Sequence, residues 1–308
     1  MSDLSGHIRD YLAMRRALGF KLEKESRLLR DYAAFAEAAG VSTVTTDLAV
    51  AWAILPQNAS PVWAAQRLGM VRGFARYLQA FDPAAQVPPA GLLPARACRV
   101  TPYIYSDVEV AALMAAARML RSPLKAATFE TLIGLLSVTG MRGSEAMALD
   151  DSDIDAGAGL LTIRATKFRK SRQLPLHAAT LAALAGYQAQ RGRLCPAPAT
   201  GSLLVSTTGA RLCQATVQPA FRHLLRQAAI GQGTPRPRAT IHGLRHTFAV
   251  KTLLGWYRDG QDVQARMPSL STYLGHVAPA ATYWYLTGTP ELLALAAGRL
   301  EAATGGAR

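Results

Sequence analysis

Apolar residues recur three and four positions apart along most of the chain, the spacing that lines one face of a helix. Leu4, Ile8, Tyr11, Leu12 and Leu18 form the first such run, and Gly19 is a natural stop. Leu28, Leu29, Tyr32 and Phe35 form the second, ending at Gly40. Thr46 is the expected cap of a third, carrying Leu48, Trp52 and Leu55 and stopping at Pro56. Ser60-Pro61 pairs a capping residue with proline at the first helical position, and opens a fourth run with Leu68, Val71, Phe74 and Leu78. Residues 1–82 are therefore expected to form a helical bundle. Pro83, Pro88, Pro89, Pro94 and Pro102 then oppose helix, so residues 83–103 read as an extended spacer.

The pattern restarts at Ser106, ahead of Val108, Val110, Leu113 and Met114, and again at Ser122-Pro123, ahead of Phe129, Leu132, Leu135 and Leu136. The period then shortens. Leu160 to Arg164 and Gln173 to Leu176 have strand character and are joined by the basic turn Lys167-Phe168-Arg169-Lys170-Ser171; Leu203-Leu204-Val205 is a candidate third strand. Helical spacing returns at 178–190, 214–229, 243–257, 262–274 and 290–303. The expected fold class is mainly α with a small antiparallel sheet. A helical N-terminal bundle would precede a mixed α/β second domain over residues 104–308.

Charge narrows the function. The 308 residues carry 34 Lys and Arg against 20 Asp and Glu, a net charge of +14. Residues 105–308 hold +10 of it, and no acid occurs between Asp155 and Asp259, where 15 basic residues stand. Such a run reads as the footprint of a phosphate backbone. Arg67, Arg72 and Arg76 on the fourth helix, and Arg96 and Arg99 in the spacer, are further candidate DNA contacts. No apolar stretch is long enough for a membrane span, so the net charge leaves nucleic acid or an anionic membrane surface as the polyanionic partner, and nucleic acid rather than a membrane is the expectation. The N-terminus has no secretory pattern. Three cysteines without a CxxC fit a reducing compartment, and a cytoplasmic protein is expected, nucleoid-associated only if its polyanionic partner is DNA.

Four short stretches carry candidate chemistry: Thr139-Gly140-Met141-Arg142-Gly143-Ser144-Glu145, the basic hairpin at Lys167, His242-Gly243-Leu244-Arg245-His246, and Leu274-Gly275-His276 followed nine residues later by Tyr285. Each alone is weakly specific; the four in this order are not. Together they resemble the tyrosine recombinase (phage integrase) family over about residues 105–288. The stretches Ser271 to Val277 and Thr282 to Leu286 further resemble members borne by transposons and other mobile elements.

The resemblance implies a site-specific recombinase that breaks and rejoins duplex DNA through a 3′-phosphotyrosyl intermediate. It implies Tyr285 as nucleophile, Arg142 and Arg245 as the clamp on the phosphate, His242 as proton acceptor, Lys167 as acid for the leaving oxygen, and His276 as a donor to the phosphate. Guanidinium groups suit the clamp because they stay charged and fork onto two oxygens. Glu145 would orient Arg142, His246 would pack beside the site, and Arg169, Lys170 and Arg172 would contact DNA. No cofactor, metal or nucleotide is expected. The expected partners are double-stranded DNA, three further copies in a synaptic homotetramer, and companion recombinases. The two domains would close around the duplex as a basic C-shaped clamp. The last helix, Pro290 to Ala303, would dock either on a neighbouring protomer or on its own domain.

Two departures from the family pattern stand out. Gly243 replaces the aspartate common after the histidine. The interval from Arg245 to His276, through Trp256-Tyr257-Arg258-Asp259-Gly260, is long and implies an extended loop. The alternatives are a catalytically silent DNA-binding protein on the same fold and a type IB topoisomerase-like enzyme. A two-metal nuclease fits poorly, because that chemistry needs converging carboxylates where the sequence has none.

Overall fold

The computed structural model describes residues 4–57, 60–94, 101–164, 171–231, 238–276, 278, 280–287 and 290–304. The chain divides into two compact units, Met1–Arg99 and Val100–Arg308.

The first unit packs four helices, α1 (Leu4–Ala17), α2 (Glu23–Ala38), α3 (Thr46–Ile54) and α4 (Pro61–Leu78). Ile8, Leu12, Leu29, Tyr32, Trp52, Leu68, Val71, Phe74 and Leu78 fill its core. Thr45 rather than Thr46 caps α3, its hydroxyl accepting from Leu48 N at 3.3 Å. Ser60 caps α4, with Pro61 in its first turn. Residues 82–94, most of them in the expected extended spacer, pack on the bundle. Ala85, Val87 and Leu93 pack on the bundle core, and Gln86 N donates to Val44 O at 2.7 Å.

Two of the proposed DNA contacts are also corrected here. Arg67 is 6% exposed, lies over the Trp52 ring at 3.8 Å and donates to Trp52 O at 2.8 Å. Arg72 donates through Nε to Pro88 O at 2.7 Å and through Nη2 to Pro89 O at 2.9 Å. Their heads satisfy backbone carbonyls of the bundle. Arg76 is exposed. Arg96 and Arg99 lie outside the described residues.

In the second unit, α5 (Asp107–Arg118) starts with a capping box between Ser106 and Glu109, and α6 (Pro123–Thr139) starts at Ser122. A one-and-a-half-turn helix, α7 (Gly143–Ala148), leads to an antiparallel sheet of β1 (Ile154–Asp155), β2 (Leu160–Ile163) and β3 (Arg172–Pro175), in the order β1-β2-β3. Leu161 pairs with Leu174 and Ile163 with Arg172. Leu161, Ile163 and Leu174 enter the main core. The third strand is thus Ile154–Asp155. Leu203, Leu204 and Val205 are buried core residues flanked only by single bridges, Asp150 with Ser202 and Val205 with Arg211.

Helices α8 (Ala178–Leu194) and α9 (Gln214–Gln227) pack on that core, and α10 (Ile241–Arg258) and α11 (Val263–Leu274) build a second one. The long interval after Arg245 is absorbed by helix: Trp256, Tyr257 and Arg258 are the last residues of α10, and only Asp259 to Asp262 separate it from α11. The chain continues through α12 (Ala280–Tyr283) and a 3-10 turn, Trp284–Thr287, to α13 (Pro290–Thr304). Helix α13 rests on its own domain. Leu292 is buried in the second core, and Arg299 donates to Gln261 O at 2.8 Å and Tyr257 O at 2.9 Å. No helix among the described residues is long and apolar enough to cross a membrane.

The acid-poor run is less free than its sequence implies. Among the described residues, Asp150 pairs with Arg211, Asp151 with Arg191, Asp153 with Arg164 and Glu145 with Arg172. The acids just upstream of the run cross the fold to neutralise part of it.

Candidate active site

Each candidate side chain leaves the backbone at the end of an element or on the inward face of one. Helix α6 ends on Gly140, whose φ of 58° is the left-handed conformation that suits glycine. The chain then turns sharply and sets Arg142 at the N-terminal cap of α7. There the Arg142 backbone N–H donates to Glu145 Oε2 at 2.9 Å, its Nη1 to Glu145 Oε1 at 2.7 Å, and its Nη2 to Gly275 O at 3.0 Å.

Arg245 projects inward from the second turn of α10 and is only 2% exposed. It donates through Nη1 to Gly140 O at 2.9 Å and through Nη2 to Leu274 O at 2.8 Å. Arg142 and Arg245 therefore hold carbonyls of consecutive residues, Gly275 and Leu274. Two guanidinium groups meet at one turn of backbone.

That turn also aims His276. Gly275 closes α11 with φ 69°. His276 Nε2 lies 2.9 Å from Arg245 Nη2, and its Nδ1 lies 2.7 Å from Thr282 Oγ1. A guanidinium has no acceptor, so Nε2 must be the acceptor and the proton sits on Nδ1, donated to Thr282. His276 thus accepts from Arg245 through Nε2; the donation to a phosphate that the resemblance implies requires Arg245 to release Nε2 and a proton to move onto it. Burial, then the charges of Arg245, Arg142 and Arg172, lower its pKa to about 4, so the ring is neutral.

Tyr285 stands in the 3-10 turn and is 2% exposed. Its ring stacks on His276, with centroids 6.0 Å apart and an interplanar angle of 20°. Burial raises its pKa; the charge of Arg245, a hydrogen bond to Arg245 and the charge of Arg142 act in the opposite sense. The phenol therefore lies within the field of both clamp arginines, Arg245 acting on it more strongly than Arg142. Tyr283 turns outward and is exposed.

His242 and His246 occupy successive turns of α10, ring to ring at 4.6 Å. His242 is the exposed member. Its pKa is lowered by desolvation, then by Arg245 and Arg142. His246 packs 5.1 Å from the Trp284 ring and 5.5 Å from the Tyr285 ring. Burial, then His242, Arg245 and His276, lower the His246 pKa to about 4.

The structure thus brings Arg142, Glu145, His242, Arg245, His276 and Tyr285 into one cluster. Lys167, Arg169 and Lys170 lie outside the described residues. Arg172 is corrected from a DNA contact to a buried partner of Glu145, with Nη2 to Oε2 at 2.7 Å. The sequence held a signal for this. Strand side chains alternate, so Arg172 shares the inward face of Leu174. Thr282, the partner of His276, is also buried. Among the described residues, no group of three or more His, Cys, Asp or Glu side chains is arranged to hold a metal ion.

Gly243 has a structural reason. A Cβ there would lie 2.8 Å from Tyr105 Cε2 and 3.0 Å from Tyr103 O. The segment 103–105 crosses the start of α10 at this point, tied by Tyr105 Oη to Thr240 O at 2.9 Å and Tyr105 N to Thr247 Oγ1 at 2.8 Å.

Comparison with known proteins agrees with this geometry. The phage integrase family model matches residues 104–291. A putative integrase/recombinase of Sinorhizobium fredii, y4rB, is 46% identical over 307 residues, covering 98% of each chain. Tyrosine recombinase XerC of Azotobacter vinelandii is 30% identical, over 72% of this chain and 68% of its own. Among solved structures, the Tn1549 transposon integrase in complex with circular intermediate DNA shares the fold at a TM-score of 0.65 and 15% identity, over 96% of this chain and 99% of its own. With Arg142, Arg245, His276 and Tyr285 gathered at one turn of backbone, and with the family model covering most of the second unit, the chain belongs to the phage integrase family, the tyrosine recombinases.

Proposed function

We propose that this protein is a site-specific DNA recombinase of a mobile element, which cuts and rejoins duplex DNA through Tyr285 without metal or nucleotide. The observation that carries the proposal is the position of Arg245: one buried guanidinium serves His276 and Tyr285 while Arg142 holds the neighbouring carbonyl. A scissile phosphate that replaces these internal partners would be clamped beside the phenol.

Tyr285 Oη attacks phosphorus, its proton passing to His242. The bond from phosphorus to the 5′-oxygen breaks, and Lys167 supplies the proton that the 5′-hydroxyl keeps. Arg142 and Arg245 neutralise the charge that grows on the non-bridging oxygens; losing one such donor costs about 3–4 kcal/mol in the transition state. The product is a 3′-phosphotyrosyl ester of similar energy to the bond broken. A second 5′-hydroxyl reverses the step, so rejoining needs no external energy. Two rounds on two duplexes require four active sites. The fold is shared with a lambda integrase tetramer bound to a Holliday junction, at a TM-score of 0.61 and 17% identity. The names of the relatives and the transposon integrase fold support the mobile-element role.

The test is covalent trapping. Nicked duplexes tiled across the DNA flanking the gene are incubated with the purified chain, and detergent-resistant adducts are sequenced. A wild-type adduct at discrete sites, lost in Tyr285→Phe, is expected. The absence of any adduct would leave a silent DNA-binding protein; an adduct that survives Tyr285→Phe would displace the nucleophile. Relaxation of plasmids lacking a mapped site would favour a topoisomerase-like enzyme.

A further inference from the structure

Arg172 sits at the base of the β2–β3 hairpin, where its backbone is fixed by pairing with Ile163. Its guanidinium faces inward. Nη2 donates to Glu145 Oε2 at 2.7 Å, Nη1 to Glu145 Oε1 at 3.1 Å, and Nε to Tyr273 O at 2.8 Å. Arg142 grips the same two objects from the other side: both oxygens of Glu145, and the carbonyl of Gly275 two residues after Tyr273. The side chain of Arg172 is 12% exposed and that of Arg142 is 32% exposed. One arginine is the inner half of this assembly and the other faces outward. Gly275 is fitted to it, because a Cβ there would lie 2.6 Å from Arg172 Nη1 and 2.9 Å from its Cζ.

Resting on the recombinase reading, we infer that Arg172 is a positioning residue for the phosphate clamp. It holds Glu145 and the turn before His276 in place, and it leaves the charge of Arg142 available to DNA. The charge count explains the second part. One carboxylate between two guanidinium groups leaves one positive charge uncancelled. Without Arg172, Glu145 would pair with Arg142 alone, and the outward-facing cation would be neutralised by its own support. Lysine has one donor centre and cannot span both carboxylate oxygens and a carbonyl as the fork does. The titration of Glu145 agrees. Burial pushes its carboxyl up, yet it lies below the ordinary range, and the Arg172 hydrogen bond is the largest lowering contribution.

The test compares two substrates. Once the wild-type chain has mapped a cleavage site, that duplex is made with either the natural phosphodiester or a neutral methylphosphonate at the scissile position. Arg172→Met should slow adduct formation on the phosphodiester by about 10–100-fold, the usual effect of losing a partner that orients a working group. The loss should be several-fold smaller on the methylphosphonate, which carries no charge for Arg142 to neutralise. Arg172→Lys should fall between Met and wild type on the phosphodiester. Equal losses on both substrates would mean a merely structural role and would overturn the inference, as would unchanged cleavage of the phosphodiester. Failure of the wild-type chain to cleave at all would instead overturn the recombinase reading.

Discussion

A methyl group on Gly243 sets two effects of opposite sign against each other. Gly243 is the third residue of α10, after the Thr240 cap. By helix propensity alone, alanine there gains about 1 kcal/mol. The space does not allow it. The new carbon would meet Tyr105 Cε2 at 2.8 Å and Tyr103 O at 3.0 Å. The Tyr105 ring cannot swing aside cheaply, because it is fully buried, its hydroxyl is tied to Thr240 O and its backbone N–H to Thr247 Oγ1. Overpacking of this kind costs about 1–3 kcal/mol, and separating the two hydrogen bonds adds to it. The steric effect wins, and Gly243→Ala should destabilise the second unit by about 1–2 kcal/mol. The aspartate common in the family should act in the same direction, since its favourable charge at a helix start is worth only about 0.3–1 kcal/mol.

Denaturant melts of the intact chain measure the change. A Tyr105→Leu background identifies its cause, because leucine lacks the Cε2 atom that the methyl group strikes. In that background the cost of Gly243→Ala should shrink by about 1 kcal/mol or more, the coupling expected of residues in contact. Equal costs in the two backgrounds, or a Gly243→Ala chain at least as stable as wild type, would refute the packing argument.

Three further outcomes follow from the same contacts. Arg245→Lys should lower the cleavage rate by about 100-fold or more, because an ammonium cannot bridge Gly140 O, Leu274 O and His276 together; single-turnover adduct formation reads it, and a near-normal rate would contradict the clamp. His246 and His276 have folded pKa values of about 4, below the ordinary value of 6.5. Between these limits the unfolded chain binds more protons, so stability is full above pH 6.5 and declines as pH falls toward 4. The melting temperature should drop between pH 7 and pH 5, and His246→Phe should flatten that slope; an unchanged slope would refute the assignment. Arg67→Met should alter the melting of the first unit and leave the salt dependence of DNA binding as it is, since its guanidinium is spent on Trp52; a shallower salt slope would return Arg67 to the DNA.

The helices of both units were legible because their apolar period and their capping residues agree: Ser60, Ser106 and Ser122 each begin a helix as their side chains dictate. Arg142, Arg245 and His276 were singled out by the family resemblance of their motifs, and the structure sets them at a glycine turn or on one helical face. The placement of Arg67, Arg72 and Arg172 was not legible. A long stem lets the head of Arg67, Arg72 or Arg172 turn inward or outward from the same backbone position, and the choice depends on a carbonyl or carboxylate far away in sequence. The Leu203–Val205 run failed similarly, because an apolar triplet specifies burial without specifying a hydrogen-bonded neighbour.

The charge pattern shows the same limit and adds something to it. A hundred residues without an acid suggest a surface wholly given to phosphate, yet Asp150, Asp151, Asp153 and Glu145 cancel Arg211, Arg191, Arg164 and Arg172 from within the fold. The arginines so paired are structural fasteners that draw the sheet, α8 and the loop before α9 toward α7 and the turn after it. Arg142 shares the Glu145 carboxylate with Arg172 and is the more exposed of the two, 32% against 12%. A basic run therefore does not by itself locate a phosphate site. On the reading proposed above, what locates it is a cation whose neutralising partner is already engaged elsewhere, and at Glu145 that condition is met by Arg172.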